Sequence, residues 1–450
     1  MRKNRAPALG RKIPRAGFAG ATTWLAGAAL LIISSAALAD TITVVTSFPK
    51  ELTEAYKKAY EKKYPQDKVE ILNKGTSAGI AYVREQPAGS RAEIFWASAP
   101  DAFEVLAGEK LLQKVDVATQ GIPDKIGSYP INDPEGFYRG QALAGYGLMW
   151  NTRYMQANKL PLPTEWADLT KPIYHGHVAT SSPSRSGTTH LTFETILQGE
   201  GWDKGWSQIL QIAGNSAAVT ERSFGVPDGV QNGQFGIGLV IDFFGLAAKN
   251  SGFPVEFVYP SVTAIVPANI ALVAGAKNAD AGRRFVNFTL SQEGQELLLD
   301  PKISRLPVLP ATYAKAPAGY PNPFSGKIQA KVNFDSNVSE SRYYVVSSLF
   351  DQVITFRLKE LQAASKAIHD ADKRLGGRAD ANAQLAEAKR LAWTPPLDAA
   401  KAQDKELLAT FKAKKGDDAA VKRKTQVEEE WSSKARANYV RAAELANAAK

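Results

Sequence analysis

The stretch Thr41-Ile-Thr-Val-Val-Thr-Ser47-Phe-Pro-Lys50-Glu-Leu-Thr-Glu-Ala-Tyr-Lys-Lys-Ala-Tyr60-Glu-Lys-Lys-Tyr64 decides the fold class. Its first six residues are β-branched and read as a strand. From Pro49 onward Leu52, Ala55, Tyr56, Ala59 and Tyr60 recur at helical spacing, which predicts an amphipathic helix. The pair repeats. Val69–Asn73 reads as a strand before KGTSAG and the helical IAYVREQ, and Glu93–Ser98 reads as a strand before PDAFEVLAG. Strands alternating with helices predict a parallel sheet covered by helices on its faces.

The three strand ends carry Thr46-Ser47, Gly75-Thr76-Ser77 and Trp96-Ala97-Ser98. In open α/β sheets a ligand lies outside such ends, where the next helices direct their N-termini. Ser47, Thr76, Ser77 and Ser98 are therefore expected on one ligand edge, with Trp96 as a wall. Further along, Ser181–His190 (SSPSRSGTTH) joins a short apolar strand at His177–Thr180 to the helical LTFETILQ. A hydroxyl-rich turn that opens a helix presents unpaired N-H groups and the positive end of the helix dipole, which suits an anion. Ser184, Arg185, Ser186, Gly187 and Thr188 are the candidate donors here. Tyr146 and Phe243 are candidate walls for the organic part of a ligand, and Asp242 a candidate acceptor for an amine or hydroxyl. Phe235–Phe244 reads as a buried strand with Asp242 near its end.

The chain has 450 residues, 44% of them hydrophobic, enough for two or three domains with real cores, and no cysteine. No disulfide holds it together, and no thiol serves as nucleophile or metal ligand. Residues 1–39 combine six basic residues, the apolar TWLAGAALLII and Ala37-Leu38-Ala39, the pattern of a signal peptide cleaved before Asp40. Without those six cations the formal net charge of +10 becomes +4, so charge gives no case for a nucleic-acid partner. Enzymatic motifs are missing: there is no G-x-S-x-G, H-E-x-x-H or Walker loop, and four His in all. Ser186 and His190, four apart, could form a hydrolytic pair but read more simply as a helix cap and a helix-face histidine. His175 and His177 would share one face of an extended segment as metal ligands.

The combination of PTEWADLTKPIYHGHVA, PANIALVAGAKNADAGRRFVNFTLSQEGQELLL and the βαβ start resembles the type II periplasmic solute-binding proteins of ABC importers over residues 40–315. The similar group includes ferric-ion, phosphonate, hexose-phosphate and phosphoglycerate binders. This resemblance implies two α/β lobes closing on a solute: lobe 1 at 40–143 with 268–325, lobe 2 at 144–267, and an inner-membrane ABC permease as partner. Ferric-binding relatives present adjacent tyrosines where this chain has Phe243-Phe244. Phenylalanine has no oxygen to offer a hard cation, so no metal and no cofactor is expected, and the favoured solute is a small organic phosphate or phosphonate. Ferric uptake is the alternative.

From Ser339 the chain is rich in Ala, Lys, Glu and Gln, with Ile354, Leu361, Ile368 and Leu375 spaced by seven. Breaks at Gly376-Gly377, Pro395-Pro396 and Lys415-Gly416-Asp417 predict an all-helical extension, 339–450, of three or four helices that packs on lobe 1. Tyr343-Tyr344 within it reads as helix packing. YYVVSSLFDQVITFRLKEL resembles the tail of phosphoglycerate transport regulatory proteins. That resemblance adds a third reading, an adaptor whose extension reports ligand state to a membrane sensor.

Overall fold

The computed structural model describes residues 40–412 and 416–450; the signal-peptide reading and Lys415 lie outside the described residues. The β-branched run forms β1, Asp40–Thr46, flanked in parallel by β2, Asp67–Asn73, and β3, Ile94–Ala97. Helix α1, Lys50–Lys63, follows β1 and buries Leu52, Tyr56 and Tyr60, the face its spacing predicts. Helices α2, Thr76–Glu85, and α3, Pro100–Gly108, follow β2 and β3.

The strand that organises the molecule is β4, Tyr138–Asn151. At about 3.3 Å per residue its 14 residues span roughly 45 Å, enough to serve two sheets in turn. Tyr138 to Gly145 pair antiparallel with Ile265–Ala271, while Tyr146 to Trp150 pair antiparallel with Ile237–Ile241. Beyond the second group lie β5, Val178–Ser181, and β6, Ser216–Thr220; β7 is Ile237–Ile241. Strand β8, Val255–Val258, pairs with the far end of β4 before the chain returns through residues 259–264 into β9, Ile265–Val273. Two lobes result, joined where β4 changes partners and where the chain crosses back.

Two expectations are corrected here. The sheet is mixed, because β9 runs antiparallel to both β3 and β4: a chain that crosses to the second lobe has to come back in the opposite direction. The run Phe235–Phe244 is strand only from Ile237 to Ile241; Asp242 opens helix α7, Asp242–Asn250. In the second lobe α4, Gly187–Glu200, follows β5, α5, Trp202–Gly214, follows α4, and α6, Gly225–Gln231, follows β6.

The extension comprises five α-helices among the described residues: α8, Ser336–Val353; α9, Leu358–Leu375; α10, Ala383–Trp393; α11, Lys405–Phe411; and α12, Asp418–Ala448. The seven-residue spacing does not run through one helix, since Ile354 ends α8 in a non-helical conformation and α9 starts at Leu358. Nor does the extension sit on lobe 1 alone. Helices α9 and α10 pack on α5 of the second lobe, where Trp202 Nε1 donates to Leu397 O at 2.9 Å and Gln362 Nε2 to Ser216 O at 2.6 Å. Helix α8 contacts α3 of the first lobe and α4 of the second, so it bridges the two. The extension buries apolar faces that the sequence could not assign to a partner, because the partner helices lie more than a hundred residues earlier.

Candidate functional site

Helix α4 begins at Gly187, and the Ser186 hydroxyl caps it by accepting from Thr189 N at 3.2 Å. Facing it across the cleft are the starts of α2 and α3 and the turn after β1. Ser47, Thr76 and Ser98 of the first lobe, Arg185, Ser186 and Thr188 of the second, and the Phe243 ring line one narrow cleft. The lobes meet closely here. A Cβ on Gly75 would stand 2.8 Å from Arg185 O, and one on Gly187 2.6 Å from the Ala99 Cβ and 2.9 Å from Thr76 Oγ1. The space left between the hydroxyls is about 20 Å³, the room a single water takes. A larger anion enters only when the lobes part, the hinge motion this topology allows.

Other expected residues lie elsewhere. Ser77 donates to or accepts from the Tyr343 hydroxyl of α8 at 3.0 Å, and with Ser184 it borders a separate depression against the extension. Tyr343 is thus buried packing, as its sequence suggests. Trp96 belongs to the first-lobe core, edge-on to Phe48, Tyr56 and Phe285, with Nε1 donating to Gln141 Oε1 at 3.3 Å. Tyr146 is buried at the crossing between lobes, its hydroxyl without a partner among the described residues. Gly187 gives the cleft its close approach, and its N-H opens the helix.

Asp242 ties the two crossing segments together. Its Oδ2 accepts from Gly145 N at 2.7 Å and from the Tyr259 hydroxyl at 2.9 Å, one on each crossing segment, and its Oδ1 accepts from Phe243 N at 2.7 Å. Burial pushes its carboxyl up to about 6, against the lowering effect of these donors. Oδ2 is filled by its two donors, while Oδ1, with one, keeps room for a second.

Sequence reading missed Arg305. It is 1% exposed, and its guanidinium carbon lies 4.0 Å from the centre of the Phe48 ring and 3.7 Å from that of Phe243. Nη1 donates to Ser98 Oγ at 3.4 Å. The available signal was an arginine inside the otherwise apolar RLPVLP. Arg222, Ser223 and Phe244 also line the cleft, and Arg222 Nη1 reaches across to Asn73 Oδ1 at 3.2 Å.

Behind the cleft, His190 is neither exposed nor paired with Ser186. Its Nε2 faces Asp101 Oδ2 at 3.2 Å, and its ring packs on Tyr343. His175 and His177 turn to different partners, Asn215 Oδ1 at 3.3 Å and the Tyr154 hydroxyl at 2.8 Å. Among the described residues no three His, Asp or Glu side chains converge as a metal site. No helix among them is long and apolar enough to cross a membrane.

Two lobes joined by crossing strands, with hydroxyls and helix starts of both turned onto one closed cleft, define a protein that captures a solute. Residues 91–326 match the model of the bacterial extracellular solute-binding protein family. The chain belongs to this family and is a periplasmic solute-binding protein of the ABC-transporter type. The phosphoglycerate transport regulatory protein PgtC of Salmonella typhimurium is 30% identical over 347 residues, 76% of this chain and 82% of that protein. Its match extends beyond the family region. Among solved structures, the periplasmic binding protein AfuA of Actinobacillus pleuropneumoniae, with fructose-6-phosphate bound, superposes with a TM-score of 0.64 at 20% identity, covering 70% of this chain and 99% of AfuA. Iron-bound HitA of Pseudomonas aeruginosa gives 0.58 at 17% identity, covering 68% and 98%. These two show that the fold is shared.

Proposed function

We propose that the protein captures a small organic phosphate or phosphonate between lobe 1, residues 40–143 with 268–325, and lobe 2, residues 144–267. It delivers that anion unchanged to an ABC permease. Residues 1–39 act as the export signal. The observation that carries this reading is the convergence of Ser47, Thr76, Ser98, Ser186 and Thr188 from both lobes on one cleft. A hydrogen bond to a charged group contributes about 1.5–3 kcal/mol, so four or five such donors reach the ~8 kcal/mol of a micromolar complex. The relatives, a phosphoglycerate transport regulator and a fructose-6-phosphate-bound protein, support the same class. Ferric ion fits less well: Phe243 and Phe244 offer no oxygen, and the Arg305 cation stacked on Phe243 repels a metal.

A second reading has its own observation. Helix α8 bridges both lobes, so opening the cleft disturbs its seat, and the extension is placed to report closure to a membrane sensor. Deleting 336–450 distinguishes the two: transport kept with induction lost favours the adaptor.

Thermal-shift and calorimetric titration with phosphoglycerates, sugar phosphates, phosphonates and ferric citrate tests the first reading. A micromolar phosphorylated or phosphonate ligand is expected, weakened at least tenfold by Thr188→Val. A visible charge-transfer band with ferric ion and no response to any phosphorylated compound would overturn it.

A further inference from the structure

Arg305 is an unusual residue to keep in a closed cleft. Phe48 comes from the first lobe and Phe243 from the second, so the ring–guanidinium–ring stack spans the lobes. Nη1 touches Ser98 of the hydroxyl cleft, while Nη2 is buried with no partner among the described residues. Asp242 acts on the guanidinium through its charge but forms no hydrogen bond with it; its oxygens are held by Gly145, Tyr259 and Phe243. Burial pushes the Arg305 pKa down to about 9, the mark of a cation deprived of water. An unpaired N-H on a buried cation is costly, and a ligand that accepts from it removes the cost. The preceding Ser304 sits at φ 47, a left-handed conformation that a non-glycine residue adopts only under constraint.

The surroundings of the guanidinium separate two environments. On the Ser98 side lies the hydroxyl cleft with room for about one water, 20 Å³. On the other lies a cavity of about 840 Å³ that both Phe rings and Arg305 border, along with Phe224, Phe244 and Lys302. A ligand whose phosphate occupies the first has its remaining atoms directed past Arg305 into the second. With a ring centre 4.0 Å and another 3.7 Å from its central carbon, the guanidinium has its N-H edge left as the place to bind. That edge is a planar fork of N-H donors, the geometry that matches a carboxylate.

We propose that Arg305 is the specificity-determining residue of this site: with the phosphate held by the hydroxyl cleft, its free edge grips a second anionic group, a carboxylate, and selects solutes that carry both. The inference rests on the organic-phosphate reading.

Calorimetric titration of the full-length protein with 3-phosphoglycerate and with glycerol 3-phosphate tests it, since these differ only by a carboxylate in place of a hydroxymethyl group. The wild type is expected to bind the first at least tenfold more tightly. Arg305→Met should weaken the first at least tenfold and change the second less than threefold, with Arg305→Lys in between. Equal wild-type affinities overturn the proposal, as does an equal loss of both ligands in Arg305→Met, which would place the guanidinium on the phosphate instead. Should Arg305→Met fail to fold, the wild-type preference alone decides. If the wild type binds neither compound nor any other phosphate, the organic-phosphate reading itself has failed, a result distinct from equal binding.

Discussion

His190 Nε2 lies 3.2 Å from Asp101 Oδ2, and neither side chain has any exposed surface. The histidine belongs to the second lobe and the aspartate to the first. Ser339 of the extension donates to the same Asp101 oxygen at 2.8 Å, so three distant segments meet at one carboxylate. Burial, the largest influence on each, pushes Asp101 up to about 7 and His190 down to about 4.

These two shifts have opposite signs in linkage. A carboxyl raised from 3.8 stabilises the fold below that value and loses the contribution as pH rises through about 7. A histidine lowered from 6.5 contributes above that value and loses the contribution as pH falls through about 4. Between these limits the folded pair carries one proton on Asp101 and the unfolded pair one on His190, so the wild-type pair gives nearly no slope. Relative to wild type, Asp101→Asn should lose stability as pH falls from 6.5 toward 4. His190→Gln should lose it as pH rises from 4 toward 7, each by up to ~1.4 kcal/mol per pH unit. Urea unfolding at pH 5 and pH 7 measures this, and parallel slopes in both variants would contradict it.

Arg342 of α8 holds the fully buried Glu194 of α4 by two bonds, at 2.9 and 2.8 Å. Burial alone would raise the Glu194 pKa, but the guanidinium keeps it below its ordinary value. Arg342→Met leaves a buried carboxylate unpaired and should destabilise by about 3–5 kcal/mol. Adding Glu194→Gln should recover at least half of the loss in urea midpoint.

Gly187 and Gly75 set how closely the lobes approach. Gly187→Ala puts a methyl 2.6 Å from the Ala99 Cβ, a clash that exists only when the cleft is closed. Ligand affinity should fall at least tenfold, with apo stability kept or slightly raised by the loss of glycine's unfolded-state freedom. Small-angle scattering should show no contraction on adding ligand; a normal contraction would mean that the observed approach is not the closed state.

Asp242→Asn tests whether that residue ties the crossing segments or contacts the ligand. It weakens the bonds to Gly145 and Tyr259 and should cost about 1–3 kcal/mol of stability. Relative affinities among phosphorylated solutes should stay within twofold, whereas a changed preference among them would return Asp242 to the ligand.

Several features were legible from local pattern. Residues from Thr41 to Tyr64 carry a β-branched run and a helical stripe that the tertiary structure merely buries. Ser186 caps a helix, as a hydroxyl before an apolar helical run predicts. Gly376 stops helix α9, as its freedom at positive φ predicts. Hydroxyls at strand ends were recognised because strand-to-helix order alone fixes which end of a sheet the helices open onto.

What the sequence by itself determined, then, is the α/β class and the family, because periodicity, caps and turns act over a few residues. Only the tertiary structure decided which polar residues reach the cleft. Ser77 and Ser184 turn to the extension, Trp96 to the core and Asp242 to the two crossing segments. Arg305 arrives from a segment more than 200 residues after Ser98 to stand between two rings of opposite lobes. The same holds for the extension, whose seat across both lobes depends on Asp101, His190 and Ser339 meeting. Such meetings are set by how apolar faces of distant elements pack, and no spacing along the chain records them.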